Sequence, residues 1–369
     1  MKEDKATLGD SDTSTFLLPN SRAIASLLLV IRSKNSSTRN ASDACAAETV
    51  LKALEKIEVR TGDRVFKSYS ADIAMALATY RNGREPYCNL TQVAESWQEV
   101  AIPIHFDRFY EDDLCGLPAP LYTGLEIALK YDFNTTDDGG QDAFESGAAY
   151  HRYDLYAEFM PHLSVKSLQN LRVLTDLKRQ NYTTRASGVD LINLTTSPYK
   201  RLRHLLVRAY KTGVGEGELF TNLAILRGTQ ELMEDTWRHW QYQNAEDCEL
   251  DYMRKVLTQA QTTSDVYYST IPDVEPTFQA ISAGAEDVYI TTTGDQVVVN
   301  GVAQDELGEL FLRSEVIPAT AIIDFDRAYD MSNLLDINAQ KMYLRVTNGT
   351  AGGAAEIIES FVEPAILPT

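Results

Sequence analysis

The feature that most constrains this 369-residue chain is an internal repeat. Ile102-Pro103 leads into Phe106-Asp107-Arg108-Phe109-Tyr110-Glu111, and Ile317-Pro318 leads into Phe325-Asp326-Arg327-Ala328-Tyr329-Asp330. The correspondence continues downstream. Leu125, Ile127 and Leu129 alternate as Met342, Leu344 and Val346 do, and Gly139-Gly140 answers Gly352-Gly353. A closing strand then ends in Phe159-Met160-Pro161 in one half and in Phe361-Val362-Glu363-Pro364 in the other. A solenoid unit recurs every ~20–50 residues, so a repeat this long marks a duplicated domain. Because Phe-Asp-Arg-x-Tyr occurs once per half, at one place in one fold, its expected role is architectural. Phe106 and Phe325 fill the core, while Arg108 and Arg327 pair with a carboxylate and stack on Tyr110 and Tyr329.

Composition narrows the partners. The chain is long enough for two domains of ~100–200 residues, and its 44% hydrophobic content is that of a globular protein. A net charge of −19 without a long basic cluster repels phosphate, which argues against direct binding of nucleic acid. Cys45, Cys88, Cys115 and Cys248 are scattered, with no Cys-x-x-Cys and no zinc spacing, so they read as thiols of a protein made in a reducing compartment. Met1-Lys2-Glu3-Asp4-Lys5 carries mixed charge where a secretory signal would need an apolar stretch. The apolar run from Ala23 to Ile31 falls far short of the ~20 residues of a membrane span and reads as a buried strand.

Pattern along the chain gives an all-β protein with short helices. Residues 1–15 are polar and are expected to form a loosely held arm. The first domain, 16–163, has a strand at Ser21–Lys34 and a helix from the Ser42-Asp43 cap to about Lys56. A hairpin at 57–66 turning at Gly62-Asp63 and a helix at 72–80 capped by Ser70 follow, then strands around Ile102, Leu125 and Tyr153. The second domain, 164–369, reads as strands at Leu168–Leu177, Val189–Leu194, Tyr199–Tyr210 and Phe220–Leu226, then a helix at Leu232–Gln243. In Lys200–Arg208, leucines interleaved with Arg201, Arg203, His204 and Arg208 suggest one buried and one solvated face. Residues at about 250–312 have no counterpart in the first half. They contain a hairpin signal, Val288-Tyr289-Ile290 and Val297-Val298-Val299 around Thr293-Gly294-Asp295, and read as a small self-supporting insertion. Two strand-rich halves without regularly alternating helices fit two tandem jelly-roll β-sandwiches.

Chemistry-bearing patterns are sparse. The Gly213–Gly217 loop lacks the Lys-Ser/Thr of a phosphate cradle. Asp137, Asp138 and Asp142 could offer carboxylates to a cation but lack the spacing of a calcium loop, so a solvated hairpin tip is the simpler reading. The five histidines form no zinc pattern, and His239, among Trp237, Trp240 and Tyr242, reads as packing at an interface or core edge. No Gly-x-Ser-x-Gly elbow occurs. Glu111-Asp112-Asp113 could in principle supply glycosidase acids, though in a chain with 53 acidic residues such a cluster carries little information. No catalytic set and no cofactor site emerge.

The run Leu117-Pro118-Ala119-Pro120-Leu121-Tyr122, continuing to Phe133, follows a strand, hairpin, helix and Ile-Pro strand. Tyr199-Lys200-Arg201-Leu202 runs into Val207-Arg208-Ala209-Tyr210, then a Gly-rich turn and Phe220-Thr221-Asn222-Leu223. In order and duplication, from about Ser21 to Pro364, the chain resembles the vertical double jelly-roll major capsid proteins of tailless icosahedral viruses with an internal membrane. That lineage includes bacteriophages and the adenovirus hexons. The resemblance implies two jelly rolls standing side by side, a homotrimer forming a pseudo-hexagonal capsomer, and contacts with neighbouring capsomers and other capsid proteins. It also implies an N-terminal arm able to reach the viral membrane, a place in the virion after synthesis in the host cytoplasm, and no enzyme activity. The alternative is a carbohydrate-binding or glycan-hydrolysing β-sandwich.

Overall fold

The computed structural model describes residues 2–39, 49–62, 64–134, 142–210, 219–259, 264–269, 275–280, 289–293, 296–302, 307–337 and 341–366. The first half runs through β1 (Lys2–Thr7), β2 (Ser11–Leu17), β3 (Ile24–Lys34), α1 (Val50–Ala53), β4 (Lys56–Thr61) and β5 (Arg64–Tyr69). It continues with α2 (Ala71–Asn82), β6 (Cys88–Thr91), β7 (Trp97–His105), β8 (Leu125–Asp132) and β9 (His151–Phe159). The second half opens with α3 (Val165–Asn170), β10 (Arg172–Thr183), β11 (Val189–Asn193), β12 (Arg201–Tyr210), β13 (Phe220–Arg227), β14 (Gln230–Thr236) and α4 (Trp237–Asp247). Then come β15 (Tyr252–Gln259), β16 (Ser264–Ser269), β17 (Glu275–Ala280), β18 (Tyr289–Thr293), β19 (Gln296–Val302) and β20 (Leu307–Ser314). The chain closes with β21 (Thr320–Asp324), β22 (Leu335–Asp336), β23 (Met342–Asn348) and β24 (Ala354–Pro364).

Hydrogen bonding makes the duplication explicit. The first half holds strand paths β1-β9-β3-β7 and β2-β8-β4-β5, and the second holds β10-β24-β12-β21 and β11-β23-β13-β14. These are one strand order used twice, the two-sheet order of a jelly roll. Even the irregularities recur. A bulge follows Val59 in the β4·β5 pairing and Ile225 in β13·β14, and another separates Ile24 from Ser26 as it separates Leu202 from His204. Aligned through these bulges, the N-cap of α2, Ser70, matches Thr236, the N-cap of α4.

The duplication corrects the N-terminus. β1 pairs with β9 over Lys2–Thr7 and β2 pairs with β8 over Ser11–Leu17, so residues 2–17 are the first two strands of the first jelly roll. Their polarity reflects a position at sheet edges, where a strand needs no continuous apolar run. Three local assignments also shift. Residues 168–170, read as the start of a strand, belong to α3, which follows the cap of Ser164, and the strand begins at Arg172. Residues 232–236, read as helix, finish β14, and α4 starts at Trp237. Lys56, read as the end of a helix, opens β4; the described part of that helix is α1, Val50–Ala53, and residues 42–48 lie outside the described residues.

One continuous sheet runs through both halves because β5 meets β10 in parallel, Lys67 opposite Asp176 and Ser68 opposite Leu177. The second-half part of this sheet is buried on both faces. Leu205, Val207, Ile323 and Ile357 belong to the second core, while Leu206, Ile322 and Ile358 join the core of the first half, beside Ile73 and Ala74 of α2. Beyond Arg201, which is exposed, β12 therefore lacks the solvated face expected of it: Arg208, on the side that alternation would have placed in water, reaches Asp72 of α2 at 3.1 Å. α2 ends at Gly83, whose φ of +69° is left-handed and whose Cβ, if present, would lie 2.2 Å from the Cys248 carbonyl oxygen.

The insertion is not self-supporting. Its hairpin forms as expected, Ile290 opposite Val299, but Val299 is fully buried in the first core. β15 leaves the second jelly roll and pairs in parallel with β6, Val256 opposite Leu90, and β20 and β17 extend the same sheet. Buried Leu310 and Leu312 complete that contact, so the segment clasps the two halves together.

Candidate functional site: the joint between the repeats

Both copies of Phe-Asp-Arg-x-Tyr leave a strand, β7 or β21, and both lie against the boundary between the halves. Phe106 is fully buried in the first core and Phe325 nearly so in the second, as the repeat suggested. The charged residues diverge. At the end of α2, Arg81 bonds Asp107 at 2.6 Å. The matching residue at the end of α4 is Asp247, and it takes the motif arginine, Arg327, at 3.2 Å. The helix-to-motif ion pair is thus preserved with its polarity reversed.

That reversal releases a different partner in each copy. Arg108, 3% exposed, closes on Asp112 with Nε–H···Oδ2 at 2.8 Å and Nη2–H···Oδ1 at 2.9 Å, and its third donor reaches the Tyr329 carbonyl at 2.6 Å. Asp112 also accepts the backbone N–H groups of Arg108 and Leu114. Burial works against its charge, yet these donors hold its carboxyl below the usual range. In the second copy Asp326 takes Arg203 at 3.2 Å and the Met331 N–H at 2.8 Å, while Arg327 stays exposed. Arg203 rather than Arg327 lies over the Tyr329 ring, 6.0 Å from its centroid, and Phe109 meets that ring edge-on at 6.3 Å. Tyr110 is 74% exposed and stacks on neither motif arginine. The sequence signal separating the copies is the fourth residue after each arginine: Asp112 in one, Met331 in the other.

Deeper in the joint, Lys67 is 1% exposed, bonds Asp176, and lies 5.2 Å from the Phe106 ring centroid. Burial opposes the Asp176 charge, but Lys67 and the Ser360 hydroxyl hold its carboxyl below the ordinary range. The Tyr80 hydroxyl donates to Asp324 at 2.9 Å. His105 and His204 line a cavity of about 40 Å³ beside these pairs, and neither ring makes a hydrogen bond to a described protein atom. Burial, with Arg203 nearby, pushes His204 down to about 4, and burial lowers His105 as well. At the far edge, Arg64 donates to the Ala365 carbonyl at 2.7 Å and to Glu363 at 3.0 Å, and Tyr122 reaches the same carbonyl at 2.6 Å.

This arrangement holds two domains together. Its carboxylates are each engaged by a cation or donor, and Asp112, the middle member of the acidic triplet, has both oxygens on Arg108. Asp137 and Asp138 lie outside the described residues, as does the Gly213–Gly217 loop; Asp142 is exposed. Among the described residues no three His, Cys, Asp or Glu side chains converge as a metal site. Trp237 and Trp240 are buried, while His239 stays exposed beside Asp235 at 3.3 Å. No helix among the described residues is long and apolar enough to cross a membrane.

No protein-family model and no curated protein matches the sequence. Solved structures do match the fold. The STIV major capsid protein is similar over 99% of this chain and 98% of its own, with a TM-score of 0.59 at 11% identity. The major capsid protein P2 from bacteriophage PM2 is similar over 98% of both chains, with a TM-score of 0.53 at 11% identity. A chain of the PBCV-1 virus capsid is similar over 98% of this chain and 94% of its own, with a TM-score of 0.54 at 9% identity. With its eight-stranded order repeated and its likeness extending from end to end, the chain has the double jelly-roll fold of these major capsid proteins.

Proposed function

We propose that this chain is a viral major capsid protein that self-assembles as trimers into an icosahedral shell. The observation that carries the reading is two-way coverage. Structures described as capsid proteins are matched over nearly the whole of both chains. The joint supports a structural role, since its ion pairs, Lys67 with Asp176 and Arg81 with Asp107, fasten the two halves together. Direct nucleic-acid binding is no part of the proposal, given the net charge of −19. Neither is membrane contact through a free arm, because Lys2–Thr7 is paired with β9. Light scattering coupled to size exclusion should give three times 41.2 kDa. A monomer persisting at micromolar concentration would contradict the reading.

A further inference from the structure

The duplication makes two sheet edges equivalent to the two already joined. Inside the chain, the β5 edge of the first jelly roll meets the β10 edge of the second. By strand order β14 is the counterpart of β5, and β1 is the counterpart of β10. Both counterparts end their sheets: β14 closes β11-β23-β13-β14, and β1 closes the sheet it shares with β9. Among the described residues each chain therefore carries one unpaired edge of each kind, and unpaired edges are surfaces that proteins cover.

We propose that the β14 edge of one chain joins the β1 edge of the next, repeating between copies the joint that β5 and β10 make within a chain. The inference rests on the trimer reading and adds the contact that builds it. Register fixes the residues. Val59 and Ile225 precede the same bulge, which sets Ser68 equivalent to Glu234. Ser26 and His204 follow the other shared bulge, opposite Glu158 and Ser360. One step along the same strands, Ala157 lies opposite Lys2 where Glu359 lies opposite Leu177, so Lys2 is the counterpart of Leu177. The internal pair Ser68–Leu177 thus becomes Glu234 of one copy opposite Lys2 of the next, a pairing of opposite charges. The contact is head-to-tail, so it generates a ring when its rotation closes and a filament when it does not.

A Lys2→Cys/Glu234→Cys double variant tests it, because paired strand positions lie within the ~4.4–6.8 Å Cα separation a disulfide spans. On mild oxidation the variant should give covalent dimer and a closed trimer on a non-reducing denaturing gel. Each single variant should give neither. Zero-length carbodiimide coupling of unmodified protein, mixed from isotopically light and heavy chains, should yield a light–heavy Lys2–Glu234 peptide. A trimer in solution with neither link would overturn this joint and leave the trimer reading standing. A ladder continuing past three chains would overturn the closed ring, and a monomer without links would overturn both.

Discussion

The loops after β7 and β21 begin with the same three residues, Phe-Asp-Arg, and put them to opposite uses. In the first, the helix-end cation Arg81 holds Asp107 and leaves Arg108 to Asp112 and to the second loop's Tyr329 carbonyl. In the second, the helix-end anion Asp247 draws Arg327 outward and leaves Asp326 to Arg203. The lesson is that duplication preserves a position more faithfully than a partner. Shared backbone geometry keeps the motif at a strand exit, while charge changes at the helix end (Arg81 against Asp247) and after the arginine (Asp112 against Met331) give the two motifs different ion pairs.

The sharpest break in that comparison is Arg108→Ala, which strands buried Asp112 without its cation and should cost ~3–5 kcal/mol in a denaturant titration. A loss below about 1 kcal/mol would mean that Asp112 is served by its backbone donors alone.

Next in size is pH. His204 is neutral in the fold and pushed down to about 4, whereas an unfolded histidine takes up its proton near 6.5. Stability is therefore complete above about 6.5 and falls as pH drops toward about 4, by about 3 kcal/mol from His204. His105 and His151, also lowered by burial, add in the same direction. Asp107, Asp112 and Asp176, held below their usual range, begin to withdraw their contribution only below about pH 4. In His204→Gln the slope of stability between pH 6.5 and 4.5 should flatten. An unchanged slope would place the titrating group elsewhere.

The smallest expected effect completes the comparison. Arg327→Ala removes an exposed pair with Asp247 and should change stability by less than about 1 kcal/mol. A cost equal to that of Arg108→Ala would restore equivalence to the two loops and undo the contrast.

Much of the fold is legible in the residues, because a core strand must alternate and a hairpin must turn. β7, β8 and β23 keep an alternating apolar pattern, and the β4·β5 turn carries Gly62 at a φ of +52°. What is not legible depends on neighbours distant in sequence. β1 and β2 are polar strands made by the partners they edge, β9 and β8. β12 looks half-solvated because Arg208 and His204 are polar, yet α2 and the first half bury that face with Asp72 as counter-charge. The joint follows the same rule: Phe106, Asp107 and Arg108 announce themselves by repetition, while Lys67, Asp176 and His204 each sit in an ordinary strand and meet only in the folded chain.

In the proposed capsomer one jelly-roll unit, used twice per chain, gives six units from three chains. Negative-stain electron microscopy of the purified protein tests it most directly. Class averages down the particle axis should show six lobes of similar size from an assembly of three times 41.2 kDa. Isolated two-lobed particles would rule out that capsomer.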